Sequence, residues 1–418
     1  MANAFSKEEV VAFEKVIEGY EDALVMSNLV EVFRTDPTTM ERANDTIWRP
    51  VPYIGASFDG MDQTANFGDY TQMSVPASIN YQKAVPFKLN GRELRDQLQE
   101  GRLGSAAKQK LASDINVAVT TQASLLGSQV VKRTAAATGF DDVAQLDAVF
   151  NEQGIPMIDR NAAYSTRDYN SMAKDLQGRG TVAGKVQTAY EKAYVGDIAN
   201  FDVYKMDYAN RLTAAAGTGC TMGGANQYYT PKATSTAVTG EQSNVDNRFQ
   251  TITVVVGGGT PKAGDAFTIQ GVNSVHLITK QDTGQLKTFR IVQVVDATHW
   301  VITPPIISAG GATLAEKIYQ NVTATPATNA PFTFLNTAAA AMNPFWHKSA
   351  IELLPGSLVI PDGAGMAVMS ASTAQGLQVT MTKQGDINNL NVKYRFDVRF
   401  GVAILDPQMV GIELFSQT

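Results

Sequence analysis

Between two stretches of small residues, about 213–244 and 323–344, the chain carries β-strand patterns and no helical periodicity. The strand patterns lie at Phe249–Val256, Ala266–Gln270, Thr288–Val295 and His299–Thr303 and are rich in β-branched and aromatic residues. Helical patterns fall only before this block, at about 7–33, 92–133, 141–150 and 165–194. An all-β block bracketed in this way predicts a domain inserted into an α/β host. It also turns the search for function away from a single active site.

With 418 residues the chain is long enough for two or three domains, each with its own core. Hydrophobic content is 44%, but charged residues make up only 18%, below the usual ~25%. A thinly charged chain fits one that covers its surface with other subunits; an Ala/Gly/Thr/Asn/Gln-rich surface gives the same composition. The net charge of −6 argues against a general nucleic-acid binder, which clusters Lys and Arg. Cys220 is the single cysteine, so no intrachain disulfide or thiolate metal cluster can form. The N-terminal residues lack a basic region followed by an apolar core, and no apolar run approaches the roughly 18 residues of a membrane span. A soluble chain made in the cytosol, with no membrane partner, is the expectation.

Along the chain, Ser6 and Glu9 form a capping-box pattern before a stripe of Val10, Phe13, Ile17, Tyr20 and Leu24. The other faces are mostly acidic, with Glu8, Glu14, Glu18, Glu21 and Asp22 against Lys7 and Lys15. Such a helix serves as a docking arm or as a first core helix with a solvated acidic face. Pro37 stops it, because the residue before proline leaves the α region. Residues 46–53 look extended, 55–78 are polar and Gly/Asp/Asn-rich, and a strand pattern resumes at Ile79, so 46–86 reads as a long two-stranded flap. A short helix at Arg92–Gln99 and a long one at Leu103–Arg133 follow, the latter weakened near Gly127. A helix at 141–150, a short strand at Gly154–Ile158, helices at 165–176 and 181–194 and a strand at Ala199–Tyr204 mark an α/β layer. After residue 344 come strands at Ala350–Leu354, Gly365–Met369 and Lys393–Ile404, which would complete the sheet begun before the β block.

Motifs for chemistry fail on inspection. Gly180–Val186 has three residues between its glycines where a phosphate loop needs four, and Val186 stands where a magnesium-binding Ser or Thr belongs. In Gly217–Gly223, Met222 replaces the third glycine of a dinucleotide loop. Gly257–Gly259 reads as a hairpin bend. His276, His299 and His347 are far apart in sequence and lack metal-ligand spacing. No catalytic residue, metal ligand or cofactor is nominated, and the expectation is a protein that is not an enzyme.

The order of parts resembles the major capsid (coat) protein of tailed double-stranded-DNA bacteriophages, in particular the short-tailed Salmonella-type subgroup with an inserted β-barrel domain. The resemblance is carried by Asn44–Val51, Leu94-Arg95-Asp96, Ala193–Val203, Val245–Phe249 with the Thr-Ile-Thr-Val that follows, Val294–Pro304, Gln384–Ile387, Tyr394-Arg395 and Gly401-Val402, in order along the chain. It implies an α+β tailed-phage capsid (Johnson) fold. The implied parts are an N-terminal arm at 1–45, an extended β loop at 46–86, and a peripheral domain with a spine helix at 87–133. An axial domain follows at 134–226, then the inserted barrel at 227–343 and return strands at 344–418.

It further implies a subunit that forms pentamers and hexamers and closes them into an icosahedral head around DNA. Assembly would be guided by a scaffolding protein and a portal in the host cytoplasm, with later expansion. No lysine lies between Arg49 and Lys83, which speaks against the loop-lysine crosslinking of some relatives. About 45 residues precede the loop, so scaffolding is expected from a separate protein, received by the acidic face that carries Glu14 and Glu18. Within Gly240–Arg248, Glu241, Asp246 and Arg248 are candidates for ion pairs between subunits; ordinary solvated loop charges are the alternative. Two other readings stand beside this one. An encapsulin-like cellular compartment would share the host fold, and an extracellular β-rich binding module or carbohydrate enzyme would account for the β block alone.

Overall fold

The computed structural model describes residues 7–17, 20–33, 46–51, 55, 60–64, 67, 71–90, 97–178, 196–311, 313–358, 366–386 and 388–418. The chain divides into two compact units. The first takes Met1–Ile47, Ala77–Val119 and Glu352–Ala403, and the second takes Trp48–Pro76, Thr120–Ile351 and Ile404–Thr418.

The first unit is organised by a sheet whose centre is the 14-residue strand Asn391–Ile404. Tyr81–Asn90 pairs with it antiparallel over ten residues, and Gln378–Asp386 pairs along its other edge, followed by Ala367–Ser372. Alternation along Asn391–Ile404 sends Tyr394, Phe396, Val398 and Phe400 to a buried face. Phe400 stacks on Tyr81 at 5.1 Å, and Phe396 meets Phe87 edge-on at 6.0 Å. The helix Gln97–Leu126 supplies Ala107, Leu111, Ile115 and Val119 as its buried stripe. Its 30 residues correspond to about 45 Å.

Two sheets build the second unit. One is a mixed layer in the order Gln129–Lys132, Val410–Leu414, Asn343–His347, Arg160–Tyr164, Phe201–Lys205 and Gly196–Ile198. The two strands from after the β block, Val410–Leu414 and Asn343–His347, therefore lie between strands from before it, and the helices Phe140–Gln153 and Thr166–Gly178 contribute Val143, Leu146, Phe150, Tyr169 and Met172 to its core. The other sheet runs Thr221–Met222, Gln250–Val255, His299–Thr303, Asp282–Val294, Ala266–Val275 and Phe332–Phe334. Phe267 is its hub, 4.9 Å from Phe332, 5.9 Å from Phe289 and 6.1 Å from Trp300. These four rings share the core of the block with Ile252, Val254, Ile269, Ile291 and Ile302.

Several local expectations change. The long helix ends at Leu126, and Gln129–Lys132 is a strand, because Val130 and Val131 take register with Ile412 and Glu413. A Cβ on Gly127 would stand 2.8 Å from the carbonyl of Ala123, so the chain turns there without room for a side chain. Gly154–Ile158 is no strand: Gly154 caps the preceding helix in the left-handed conformation, and Met157 and Ile158 are exposed. The strand starts at Arg160 instead. Gly257–Gly259 is not a hairpin bend, since Gln250–Val255 pairs with His299–Thr303 and Ala266–Val275 pairs with Asp282–Val294. Gly259 does have a positive φ of 73°, and a Cβ there would collide with the Ala216 carbonyl.

Helix is described at Lys7–Ile17 and at Tyr20–Ala23, and Glu31–Val32, expected at the end of the helix, is a strand. Thr46–Pro50 pairs with Ser74–Ser78, which leaves Tyr81–Asn90 to the large sheet rather than to the flap. Ser6, Gly180–Val186 and the helix expected at 181–194 lie outside the described residues. No described helix is long and apolar enough to cross a membrane.

Candidate functional site

The hairpin Thr234–Thr236 with Gln242–Asn244 projects with every strand residue exposed. Its turn closes through Ala237 N–H to Glu241 O at 2.8 Å and Gly240 N–H to Ala237 O at 2.9 Å, with Gly240 at φ 89°. Val238 at the tip is fully exposed, and Glu241 is exposed. A hairpin this short and polar has no core of its own, so its position must come from its base.

That base is Asn247, which is 6% exposed. Its Oδ1 accepts from Tyr229 OH and from Lys232 N–H, both at 3.0 Å, and its Nδ2 donates to Lys232 O at 2.8 Å and Val245 O at 3.0 Å. The two candidate charges on either side of it pair with each other. Arg248 donates Nε to Asp246 Oδ1 at 2.9 Å and Nη2 to Oδ2 at 2.7 Å, and Nη1 to the carbonyl of Ile404 at 2.8 Å. The guanidinium also lies 5.1 Å from the Phe249 ring centroid. Asp246 and Arg248 are thus brought together within one chain, whereas Glu241 stands apart from them in solvent. Glu316 fastens the neighbouring loop, accepting from Thr230 Oγ1 and from Gly311 N–H at 2.6 Å.

On the first unit, the helix Lys7–Ile17 buries Glu9, Phe13 and Val16 and leaves Val10, Val11 and Glu14 exposed. Of the expected stripe Phe13, Tyr20 and Leu24 are buried, while Glu9 and Val16 take the inward places expected of Val10 and Ile17. Glu9 turns into the fold instead of back along its own helix, accepting from Tyr394 OH at 2.5 Å and pairing with Lys383 at 2.6 Å. Glu18 lies outside the described residues. Within the flap, Asp62 accepts from Thr64 N–H and Oγ1, and Met61 and Phe67 are exposed. The flap's base is tied in the second unit, where Tyr319 OH donates to Thr71 O at 3.0 Å.

Interior polar groups are the part sequence reasoning missed. Arg290, fully buried, donates Nη1 to the carbonyls of Ser124 and Gly127 and Nη2 to Gly264 O at 3.0 Å. The C-terminal end of the long helix is thereby capped by a cation from the β block. Glu413, also fully buried, accepts from Tyr164 OH at 2.8 Å, and burial pushes its carboxyl up to about 8. The only signal for either was a charge breaking an apolar strand pattern, at Phe289-Arg290-Ile291 and Ile412-Glu413-Leu414.

The geometry presents exposed projections on firmly anchored bases, and comparison with known proteins gives this a context. The family model described as P22 coat protein, gene protein 5, matches residues 1–416. Among solved structures, the chain is similar to the CUS-3 coat protein I-domain, at 41% identity over 30% of this chain and 98% of that one, with a TM-score of 0.23. It is similar to the structure of Mycobacterium phage Che8 at 10% identity, over 94% of this chain and 92% of that one, with a TM-score of 0.42. A virus-like particle from Pyrococcus furiosus is similar at 9% identity, over 96% of this chain and 97% of that one, with a TM-score of 0.38. The superpositions are too loose to argue from, and the weight rests on the family match, which covers all but the last two residues. The chain belongs to the P22 coat protein family and is a major capsid protein of a bacteriophage.

Proposed function

We propose that the subunit forms pentamers and hexamers that close into an icosahedral head around phage double-stranded DNA. A separate scaffolding protein and a portal guide its assembly in the host cytoplasm, and the shell later expands. The observation that carries this reading is the coat-protein match over residues 1–416. The coat family is a structural class rather than a family of enzymes, and its members work as assemblies of many subunits. Repeated interfaces on one chain generate closed symmetric shells. A net charge of −6 lets packaged DNA move past the wall without adhering. The same match favours the phage shell over an encapsulin-like compartment.

Within this reading Glu241 and Val238 at the hairpin tip meet a neighbouring subunit, while the Asp246–Arg248 pair holds the hairpin's direction. Glu14 on the N-terminal helix, together with Glu18, receives the scaffolding protein. The test is to purify the protein alone and with its scaffold and examine it by sedimentation and negative-stain electron microscopy. Closed shells with scaffold, and tubes or irregular shells without it, are the expected result. A monomer under every condition would overturn the assembly reading. Reversing the charge at Glu14 and Glu18 is expected to weaken scaffold-dependent assembly; undiminished assembly would remove those residues from the interface.

A further inference from the structure

The strand Asp282–Val294 carries a lysine where an apolar side chain would be ordinary. Lys287 is 1% exposed, and its Nζ reaches Gln408 Oε1 at 2.9 Å and Gln153 Oε1 at 3.4 Å. Gln153 ends the helix Phe140–Gln153 and donates its amide to Ser274 Oγ at 2.6 Å. Gln408 sits in the turn Pro407–Met409, which leads into Val410–Leu414. One side chain of the β block therefore meets two elements of the mixed layer, all within the second unit.

Both acceptors are neutral amides. A protonated amine offers three N–H donors and a full charge, whereas a neutral amine offers two donors, matching the two oxygens present. The charged groups that act on Lys287 are Asp406, which attracts, and Lys280, which repels. Asp406 is a weakened counter-ion: burial raises its own pKa, and its Oδ1 already accepts from Gln408 N–H at 2.9 Å.

We infer that Lys287 makes the seam between the β block and the mixed layer a pH-sensitive fastening, tight when the amine is neutral and looser when it is protonated. Burial pushes this amine down to about 7 from an ordinary 10.5. In the unfolded chain the lysine regains its ordinary value. Between those two limits the unfolded state binds the extra proton, so stability rises with pH across that window. Below about 7 both states are protonated, the slope vanishes and the seam holds a charge it cannot fully pair.

The test compares denaturant unfolding of the full-length wild type, Lys287→Met and Lys287→Arg at matched pH between about 6.5 and 9.5. The contribution from Glu413 is common to all three and cancels in the ratio, while Lys280 and Asp406 act on the charge at position 287 and are read together with it. The ratio of wild-type to Lys287→Met unfolding constants is expected to fall by up to about tenfold per pH unit above neutrality. The Lys287→Arg profile should run parallel to Lys287→Met, because the guanidinium stays charged throughout. Parallel wild-type and Lys287→Met profiles would overturn the inference. If the variants do not fold, the lysine Cε resonances of the wild type, labelled with carbon-13, decide the matter. One resonance is expected to titrate near 7, distinct from the Lys280 signal near 8. Its absence would equally overturn the inference.

Discussion

The strand Asp282–Val294 turns Lys287 and Arg290 into the protein and engages Ser128, Gln153, Gln408 and the end of the long helix. The hairpin Thr234–Thr236 with Gln242–Asn244, from the same β-rich stretch, buries none of its strand residues and is held only at its base. Both segments are polar by β-strand standards, so composition does not separate them. What separates them is where the bonds close. Lys287 Nζ, Thr288 Oγ1 and the two Nη groups of Arg290 are satisfied within the chain, with Arg290 Nε the exception, and their partners resist removal, because a carbonyl left bare in the interior has no water to replace its donor. Polar groups at the hairpin tip are satisfied by water and remain available to a neighbour. A shell subunit needs both kinds of segment, one to keep its own fold and one to be recognised.

The largest effect should come from the seam. Arg290→Ala leaves the carbonyls of Ser124, Gly127 and Gly264 without their donor and opens a cavity, and a loss of about 3–5 kcal/mol is expected in urea unfolding of the subunit. A loss below about 1 kcal/mol would show that the β block does not depend on this cap and would dissolve the contrast. Asn247→Ala should cost less, about 1–2 kcal/mol, since Lys232 and Val245 lie close to solvent and can recruit water. It should also raise hydrogen exchange across the hairpin without touching the long strand; equal exchange in both would mean the hairpin has other anchors. Glu241→Lys is the smallest change to the fold, within about 0.5 kcal/mol by the same unfolding assay. Its effect belongs to assembly, read as a shift in the protein concentration at which shells form. No shift would place the tip outside the subunit contacts.

Much of the fold was legible because period-two runs of Val, Ile, Phe and Thr specify strands with little help from context. Residues 249–256, 266–270, 288–295 and 299–303 all lie on or at the edges of observed strands. Pairing order was not legible. Gly257–Gly259 looks like a hairpin bend locally, yet the strands on either side of it choose other partners, Gln250–Val255 the distant His299–Thr303 and Ala266–Val275 the strand Asp282–Val294, with Phe267 fitted against Phe332 and Trp300. The same limit explains the N-terminal helix, where Glu9 reads as a capping residue until Lys383 and Tyr394 arrive from the far end of the chain. Among the candidate site residues, exposure at Glu14 and Glu241 agrees with their polar surroundings in sequence. The pairing of Asp246 with Arg248 is local, made across a turn at Asn247 and Arg248 in which the Arg248 N–H also donates to Asp246 Oδ1 at 3.1 Å.

Taken alone, then, the sequence determined the class of the chain: a β-rich block bracketed by small residues, a thinly charged surface, and an ordered series of short segments shared with phage coat proteins. These are local or additive properties, readable without knowing what packs on what. The tertiary structure alone decided which charges lie inside. Lys287, Arg290 and Glu413 look like surface residues in sequence and are buried because distant elements bring amide, carbonyl and hydroxyl partners to them. Burial of an ionisable group depends on partners supplied across hundreds of residues, and no periodicity in a single segment records them.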